Sequence, residues 1–112
     1  MDDDPIFRTL ARRLLADCGL AVIGEADSAA TGLSAATELE PSSVLVDVGL
    51  PDRDGFTLAR QLAALPRRPR VVLTSVEADV GHEDAVRRSG AVTFVHKADL
   101  PNAPLARLLG GE

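Results

Sequence analysis

The sequence predicts an α/β protein whose parallel sheet is covered by helices on both faces. Three observations carry that prediction. Four short runs, residues 20–23, 44–48, 71–75 and 91–95, are dominated by apolar residues without alternation, which suits strands buried on both faces. Segments with apolar residues at helical spacing lie between them. Helix and strand therefore alternate as α-β-α-β-α-β-α-β-α, the order that builds parallel sheets through crossover connections.

The elements follow in chain order. Phe7, Leu10, Ala11, Leu14, Leu15 and Cys18 recur at helical spacing; Pro5 suits the first turn and Gly19 the position just past the end. On this pattern Cys18 belongs to the core face of the first helix. Residues 20–23 read as a short strand. Ser28 can cap a second helix, with Ala29, Leu33, Ala36 and Leu39 facing inward and Pro41 ending it. The β-branched run 44–48 reads as a strand with one carboxylate, Asp47, inside it. The turn-rich stretch 51–55 leads to a third helix through Phe56, Leu58, Ala59, Leu62 and Leu65. Residues 71–75 form the next strand, and a polar helix runs from about 79 to 89 until Gly90 stops it. The last strand covers 91–95 and the last helix 100–109. Pro101 is tolerable near its start, and Pro104 either lies in its first turn or marks a later start.

Composition narrows the function. A chain of 112 residues makes one domain, and Cys18 alone excludes a disulfide framework or a cysteine zinc cluster. No apolar run approaches the roughly 18 residues of a membrane span, and the acidic start is unlike a signal peptide, so a cytoplasmic protein without membrane contact is expected. Twelve Lys+Arg against seventeen Asp+Glu, a net charge of −5, argues against direct nucleic-acid binding. Three Phe with no Trp or Tyr leave little for base stacking.

In open parallel sheets ligands gather beyond the carboxyl ends of the strands. Asp47, Ser75 and Lys97 fall there, and Asp2, Asp3 and Asp4 stand where a first strand would hand over to the first helix. Carboxylates that can hold Mg²⁺, an Asp that can attack phosphorus, and a lysine and hydroxyl that can neutralise phosphoryl oxygens make a phosphoryl-transfer set. Asp47 carries the most weight, because a carboxylate inside an apolar strand is costly unless paired or metal-bound. Taken singly, the acidic start reads as helix-capping charge and Lys97 as a solvated loop residue. Whether Thr74 or Ser75 faces the site depends on a one-residue register. His82 reads as a surface residue, His96 has no evident metal partner, and the basic stretch 67–70 reads as a solvated loop.

These residues give the sequence a resemblance to the receiver domains of two-component response regulators. It is carried by Asp2-Asp3-Asp4-Pro5, by Val44-Leu45-Val46-Asp47 with Leu50-Pro51 and Asp54-Gly55, by Val72-Leu73-Thr74-Ser75, and by Phe94-Val95-His96-Lys97. The Asp-Asp-Asp-Pro start and Lys97-Ala98-Asp99 are similar to receivers of nitrate-response and LuxR-type regulators. The resemblance implies a flavodoxin-like, doubly wound sheet of order 2-1-3-4-5. It implies that Asp47 is both the phosphoacceptor and part of the Mg²⁺ site, that Asp3 binds the ion directly with Asp2 assisting, and that the Gly49 carbonyl supplies a further ligand. Lys97 would pair with the phosphoryl group, Ser75 would hydrogen-bond it, and Phe94 would be the aromatic switch. The implied partners are a sensor histidine kinase or small phosphodonor on one side, and an output protein or homodimer on the other.

Two departures shape the expectations. Ala98 replaces the proline that often follows the lysine, so no cis peptide is expected there. Met1 stands where the family carries the last residue of its first strand, so that strand is expected to be truncated, through an internal Val codon read as a start. Residues 20–23 would then lose their backbone partner. The resulting expectation is a receiver over residues 1–112 with no output domain, acting as a self-phosphorylating and self-dephosphorylating switch rather than a turnover enzyme. The alternatives are a degenerate receiver serving as a binding module and an aspartate-nucleophile phosphohydrolase. Gly49 counts against the hydrolase, which usually carries a second Asp at that position.

Overall fold

Helices begin where a side chain can accept from their first free N–H groups. In the computed structural model, which describes residues 1–80 and 82–110, helix α1 (Pro5–Asp17) is capped by Asp4, whose carboxylate accepts from the Ile6 N–H at 2.9 Å. Helix α2 (Ala29–Leu39) starts at Ser28, whose hydroxyl accepts from the Thr31 N–H at 3.1 Å, and ends at left-handed Glu40. Asp54 caps α3 (Gly55–Ala63) through the Thr57 N–H at 2.9 Å. Helix α4 (Glu83–Ser89) stops at Gly90, whose φ of +81° suits a residue without a Cβ.

Strands β1 (Ser43–Asp47), β2 (Arg70–Ser75) and β3 (Thr93–His96) form one parallel sheet in the order β1-β2-β3. Asp47 lies opposite Thr74, and Ser75 opposite His96. Helices flank this sheet, as the alternation predicts, and α3 packs on β1 and β2. The core is built from Val46, Val71, Leu73, Leu58, Ala59 and Leu62, with Ala29 and Ala36 of α2 against them. Among the described residues no helix is long and apolar enough to cross a membrane, and no peptide bond is cis.

The resemblance implies five strands with the first truncated, and among the described residues three form. Residues 20–23 make no strand, and the reason is backbone pairing. In a parallel ladder alternate residues of β1 face opposite sides, and Ser43, Leu45 and Asp47 face away from β2. There, among the described residues, only Met1 meets them: its nitrogen donates to the Leu45 C=O at 2.7 Å, and its C=O accepts from the Asp47 N–H at 2.9 Å. On the other side the Asp2 N–H donates to the Ala26 C=O at 3.0 Å. Below this single rung a cleft of about 420 Å³ separates residues 20–25 from β1. With no ladder within reach, Val22 and Ile23 remain 36% and 56% exposed.

The cleft also loosens α1. Phe7, Ala11 and Leu15 line it, only Ala11 of the helix is buried, and Leu10 is 49% exposed. Cys18, expected in the core, is exposed, because it sits at the C-cap where the chain has left the helix. Leu39, expected to face inward, stands exposed on the rim of the same cleft. The polar fourth helix is shorter than predicted: a 3₁₀ turn, Ala78–Val80, precedes it, and residue 81 lies outside the described residues. The last predicted helix is divided into a 3₁₀ turn, Lys97–Asn102, and α5 (Leu105–Gly110). Pro104 causes the break by holding Ala103 extended, at ψ 149°, so it marks the later start.

Candidate functional site

The carboxyl ends of the strands bring the predicted acidic residues together. Asp47 closes β1 and is buried, 8% exposed. The backbone of Asp47 and Val48 is held by three hydrogen bonds. The Asp47 N–H donates to Met1, and the Val48 N–H donates to the Thr74 C=O at 2.9 Å. The third contact is the Gly55 N–H, which donates to the Val48 C=O at 2.7 Å. A Cβ on Gly55 would lie 2.6 Å from the Asp47 carbonyl oxygen and 2.7 Å from the Val48 Cα. Only a glycine therefore lets α3 start directly under the end of β1.

Asp2 is buried and fully engaged. One carboxylate oxygen accepts from the Asp4 N–H at 2.9 Å and the other from Lys97 Nζ at 2.6 Å. Its carbonyl oxygen accepts from the Arg8 guanidinium at 2.7 Å. Asp3 is exposed, yet carboxylate oxygens of Asp2, Asp3 and Asp47 all lie within 4.8 Å of one another. Lys97 follows β3 and reaches back over this group. Its Nζ stands 3.9 Å from the Asp47 carboxylate and 3.9 Å from the centre of the Phe7 ring.

Electrostatics make this cluster receptive to a cation. Burial pushes the Asp47 carboxyl above the ordinary aspartate value, and the neighbouring Asp2 charge pushes it the same way. Lys97 and the Gly49 N–H oppose that rise without cancelling it, and Asp3 adds to it. Three hard oxygen donors beside one ammonium are left with uncompensated negative charge. That donor set fits Mg²⁺, which takes oxygen ligands and is held by one or two carboxylates plus phosphate oxygens.

The other predicted residues have distinct places. Gly49 is exposed beside the acid, with the Asp47 carboxylate 3.9 Å from where its Cβ would be. Ser75 is buried at the end of β2, and its hydroxyl accepts from the Glu77 N–H at 3.0 Å. Thr74, the other candidate hydroxyl, donates to the Val95 C=O at 2.7 Å and so is spent inside the sheet. Phe94 is half-buried in β3 opposite Leu73 and packs against the core. Asp4 serves as the α1 cap, one of the plainer roles open to an acidic start.

Three further residues belong to the surroundings of the site. Phe7 reads as a core residue in the sequence, but its ring carries Lys97. Arg8 fixes the Asp2 backbone and pairs with Glu25, which also pairs with Arg12. Asp52 accepts from the Ala29 and Ala30 N–H groups of α2. No local pattern signals the Asp52 contact, because its partners lie 23 and 22 residues away.

Comparison with known proteins gives consistent results. The family model described as response regulator receiver domain matches residues 1–106. The response regulator GacA of Pseudomonas viridiflava is 35% identical over 98 residues, which cover 87% of this chain and 46% of that protein. The chain thus spans about half the length of the curated relatives it matches. A LuxR-family two-component response regulator from Aurantimonas sp. SI85-9A1 superposes with a TM-score of 0.83 at 28% identity, covering 97% of this chain and 81% of that one. The receiver domain of the sensor histidine kinase PA1611 of Pseudomonas aeruginosa, solved with magnesium coordinated in its active-site cleft, gives a TM-score of 0.78. At 22% identity, covering 98% of this chain and 93% of that one, it shows a shared fold.

Proposed function

The chain belongs to the response regulator receiver domain family, and from that premise we propose that it is a phosphorelay switch phosphorylated on Asp47 in a Mg²⁺-dependent step. The observation that carries this reading is the carboxylate group of Asp2, Asp3 and Asp47 within 4.8 Å, bridged by Lys97.

In the proposed reaction a carboxylate oxygen of Asp47 attacks the phosphorus of a kinase phosphohistidine or a small phosphodonor. An O–P bond forms, the bond from phosphorus to the leaving group breaks, and its electron pair departs with that group. Asp2, Asp3 and Asp47, with the Gly49 carbonyl, would hold Mg²⁺. Bound there, the ion supplies neutralising charge for the phosphoryl oxygens. Lys97 shifts from Asp2 toward a phosphoryl oxygen, a short move for an ammonium already 3.9 Å from Asp47. The Ser75 hydroxyl leaves the Glu77 N–H and donates to a second oxygen. Phe94 repacks as Ser75 moves, and the population shifts toward a surface that an output protein or a second copy recognises.

Acetyl phosphate with Mg²⁺ tests the reading. Intact mass should rise by about 80 Da, one HPO₃, as an aspartyl phosphate forms, and Asp47→Asn should abolish the rise. Fast multiple turnover of phosphate with no accumulating adduct would assign a phosphohydrolase instead. No adduct on folded protein would leave only a binding module.

A further inference from the structure

The first turn of α2 has more N–H donors than its own cap can serve. The Ser28 hydroxyl accepts from Thr31, and the Ser28 C=O accepts from Gly32 at 2.9 Å. The Ala29 and Ala30 N–H groups donate elsewhere, one to each carboxylate oxygen of Asp52, at 2.8 and 3.0 Å. Asp52 stands in the loop between β1 and α3, the loop that leaves Asp47 and passes through Gly49.

That loop is closed at its far end by the Gly55–Val48 hydrogen bond and by the Asp54 cap of α3. Between these closures, Asp52 on α2 and an Arg53–Gln61 hydrogen bond of 2.6 Å hold it. A forked carboxylate on two adjacent N–H groups fixes direction as well as position. The positive end of the helix favours that charge, and the two N–H donors hold the Asp52 carboxyl below the ordinary aspartate range.

We infer that Asp52 is a positioning residue: by tying the loop to the start of α2, it holds residues 47–49 in the arrangement that metal binding requires. The inference rests on the reading of Asp2, Asp3 and Asp47 as the Mg²⁺ site. A ligand set of this kind depends on supporting hydrogen bonds, whose loss typically weakens metal affinity by tenfold or more.

Calorimetric titration of the whole chain with Mg²⁺ tests it. Wild type is compared with Asp52→Ala, Asp52→Asn and Ser28→Ala, the last removing a cap of the same helix without touching the loop. Asp52→Ala should raise the Kd about tenfold. Asp52→Asn, which keeps one acceptor, should lie between, and Ser28→Ala should stay within about twofold of wild type. The Ala and Asn variants lose the same charge, so the difference between them reports the hydrogen bonds. Amide exchange should quicken at Val48 and Gly49 in Asp52→Ala, as well as at Ala29 and Ala30.

Equal Kd values for the Ala and Asn variants would overturn the inference, as would an unchanged Asp52→Ala or an equally weakened Ser28→Ala. Exchange that quickens only at Ala29 and Ala30 would reduce Asp52 to a helix cap and overturn it too. If Asp52→Ala does not fold, Asp52→Asn against Ser28→Ala decides the matter. A wild type that binds no Mg²⁺ overturns the reading of the site itself, a result distinct from all of these.

Discussion

Gly55→Ala should damage both the fold and the site, because the space for one methyl group is taken by the backbone of the proposed phosphoacceptor. The added Cβ would meet the Asp47 oxygen at 2.6 Å, the Val48 Cα at 2.7 Å and the Asp47 carbonyl carbon at 3.1 Å. Ordinary contact begins near 3.4 Å, so the closest atom must retreat by about 0.8 Å. None of the three is a flexible side-chain end. Asp47 cannot retreat freely, since its N–H is bonded to Met1 and the Val48 N–H to Thr74. Overpacking against a fixed neighbour costs about 3 kcal/mol at the upper end of its range. Replacing glycine by alanine in a helix returns up to about 1 kcal/mol, through propensity and a less flexible unfolded chain. The net loss should be about 2 kcal/mol, or roughly 8 °C in Tm for a domain of this size. Urea unfolding reads it, with Gly49→Ala as comparator, where the nearest atom is 3.9 Å away and the change should stay within about 0.5 kcal/mol. Mg²⁺ affinity of the folded Gly55→Ala fraction should fall as well, because the displaced atoms carry the Asp47 carboxylate. A Gly55→Ala variant within 0.5 kcal/mol of wild type, or a Gly49→Ala variant equally costly, would refute the steric reasoning.

Other consequences can be measured in the same way. Lys97→Met leaves Asp2, with a side chain only 3% exposed, without its cation, and should cost about 3 kcal/mol in chelator-treated protein and less with Mg²⁺ present; an equal loss in both conditions would show that the ion does not replace the ammonium. Saturating Mg²⁺ at one hundred times its Kd should stabilise the fold by about 2.7 kcal/mol, and Asp3→Asn should reduce that gain when followed by calorimetric Tm. Acid should weaken the fold through Asp52 and Asp54. Hydrogen bonds from Ala29 and Ala30 lower the first carboxyl, while partial burial raises the second less than the Thr57 N–H and hydroxyl, the Phe56 N–H and Arg60 together lower it. Both bind protons less readily folded than unfolded, so their stabilisation is complete above the unfolded value of about 4 and is lost as pH falls through the lower folded values. Unfolding of Asp52→Asn measured from pH 6 to pH 2 should therefore show a shallower acid slope than wild type, and parallel slopes would contradict the assignment.

Much of the fold and the site is legible in the chain itself, because local chemistry determines it. The apolar run at 71–75 becomes a strand buried on both faces, the run at 44–48 gives a strand whose Leu45 borders the cleft, and Ser28, Asp54 and Gly90 bound helices through contacts a few residues away. Asp47 and Lys97 are recognisable because each ends or follows an apolar run at one rim of the sheet, and Asp2 and Asp3, preceded only by Met1, join them through the resemblance of the acidic start. Residues 20–23 have the same local character as the true strands and still form none. A strand exists only through a partner's N–H and C=O groups, and no composition records where those groups stand.

The remaining decisions belong to long-range geometry. Asp52 looks like one more turn residue until α2 places two N–H groups against it. Thr74 and Ser75 are equivalent hydroxyls until the register gives the first to Val95 and leaves the second at the strand end. Phe7 and Cys18 share one helical stripe, yet one supports Lys97 and the other meets solvent. By itself the sequence determined which segments could be helix or strand and which residues carry charge to the rim. Only the tertiary structure decided which strands pair, which hydroxyl is spent inside the sheet and what holds the acidic loop. Those outcomes depend on distances between residues far apart in the chain, which local propensity does not encode.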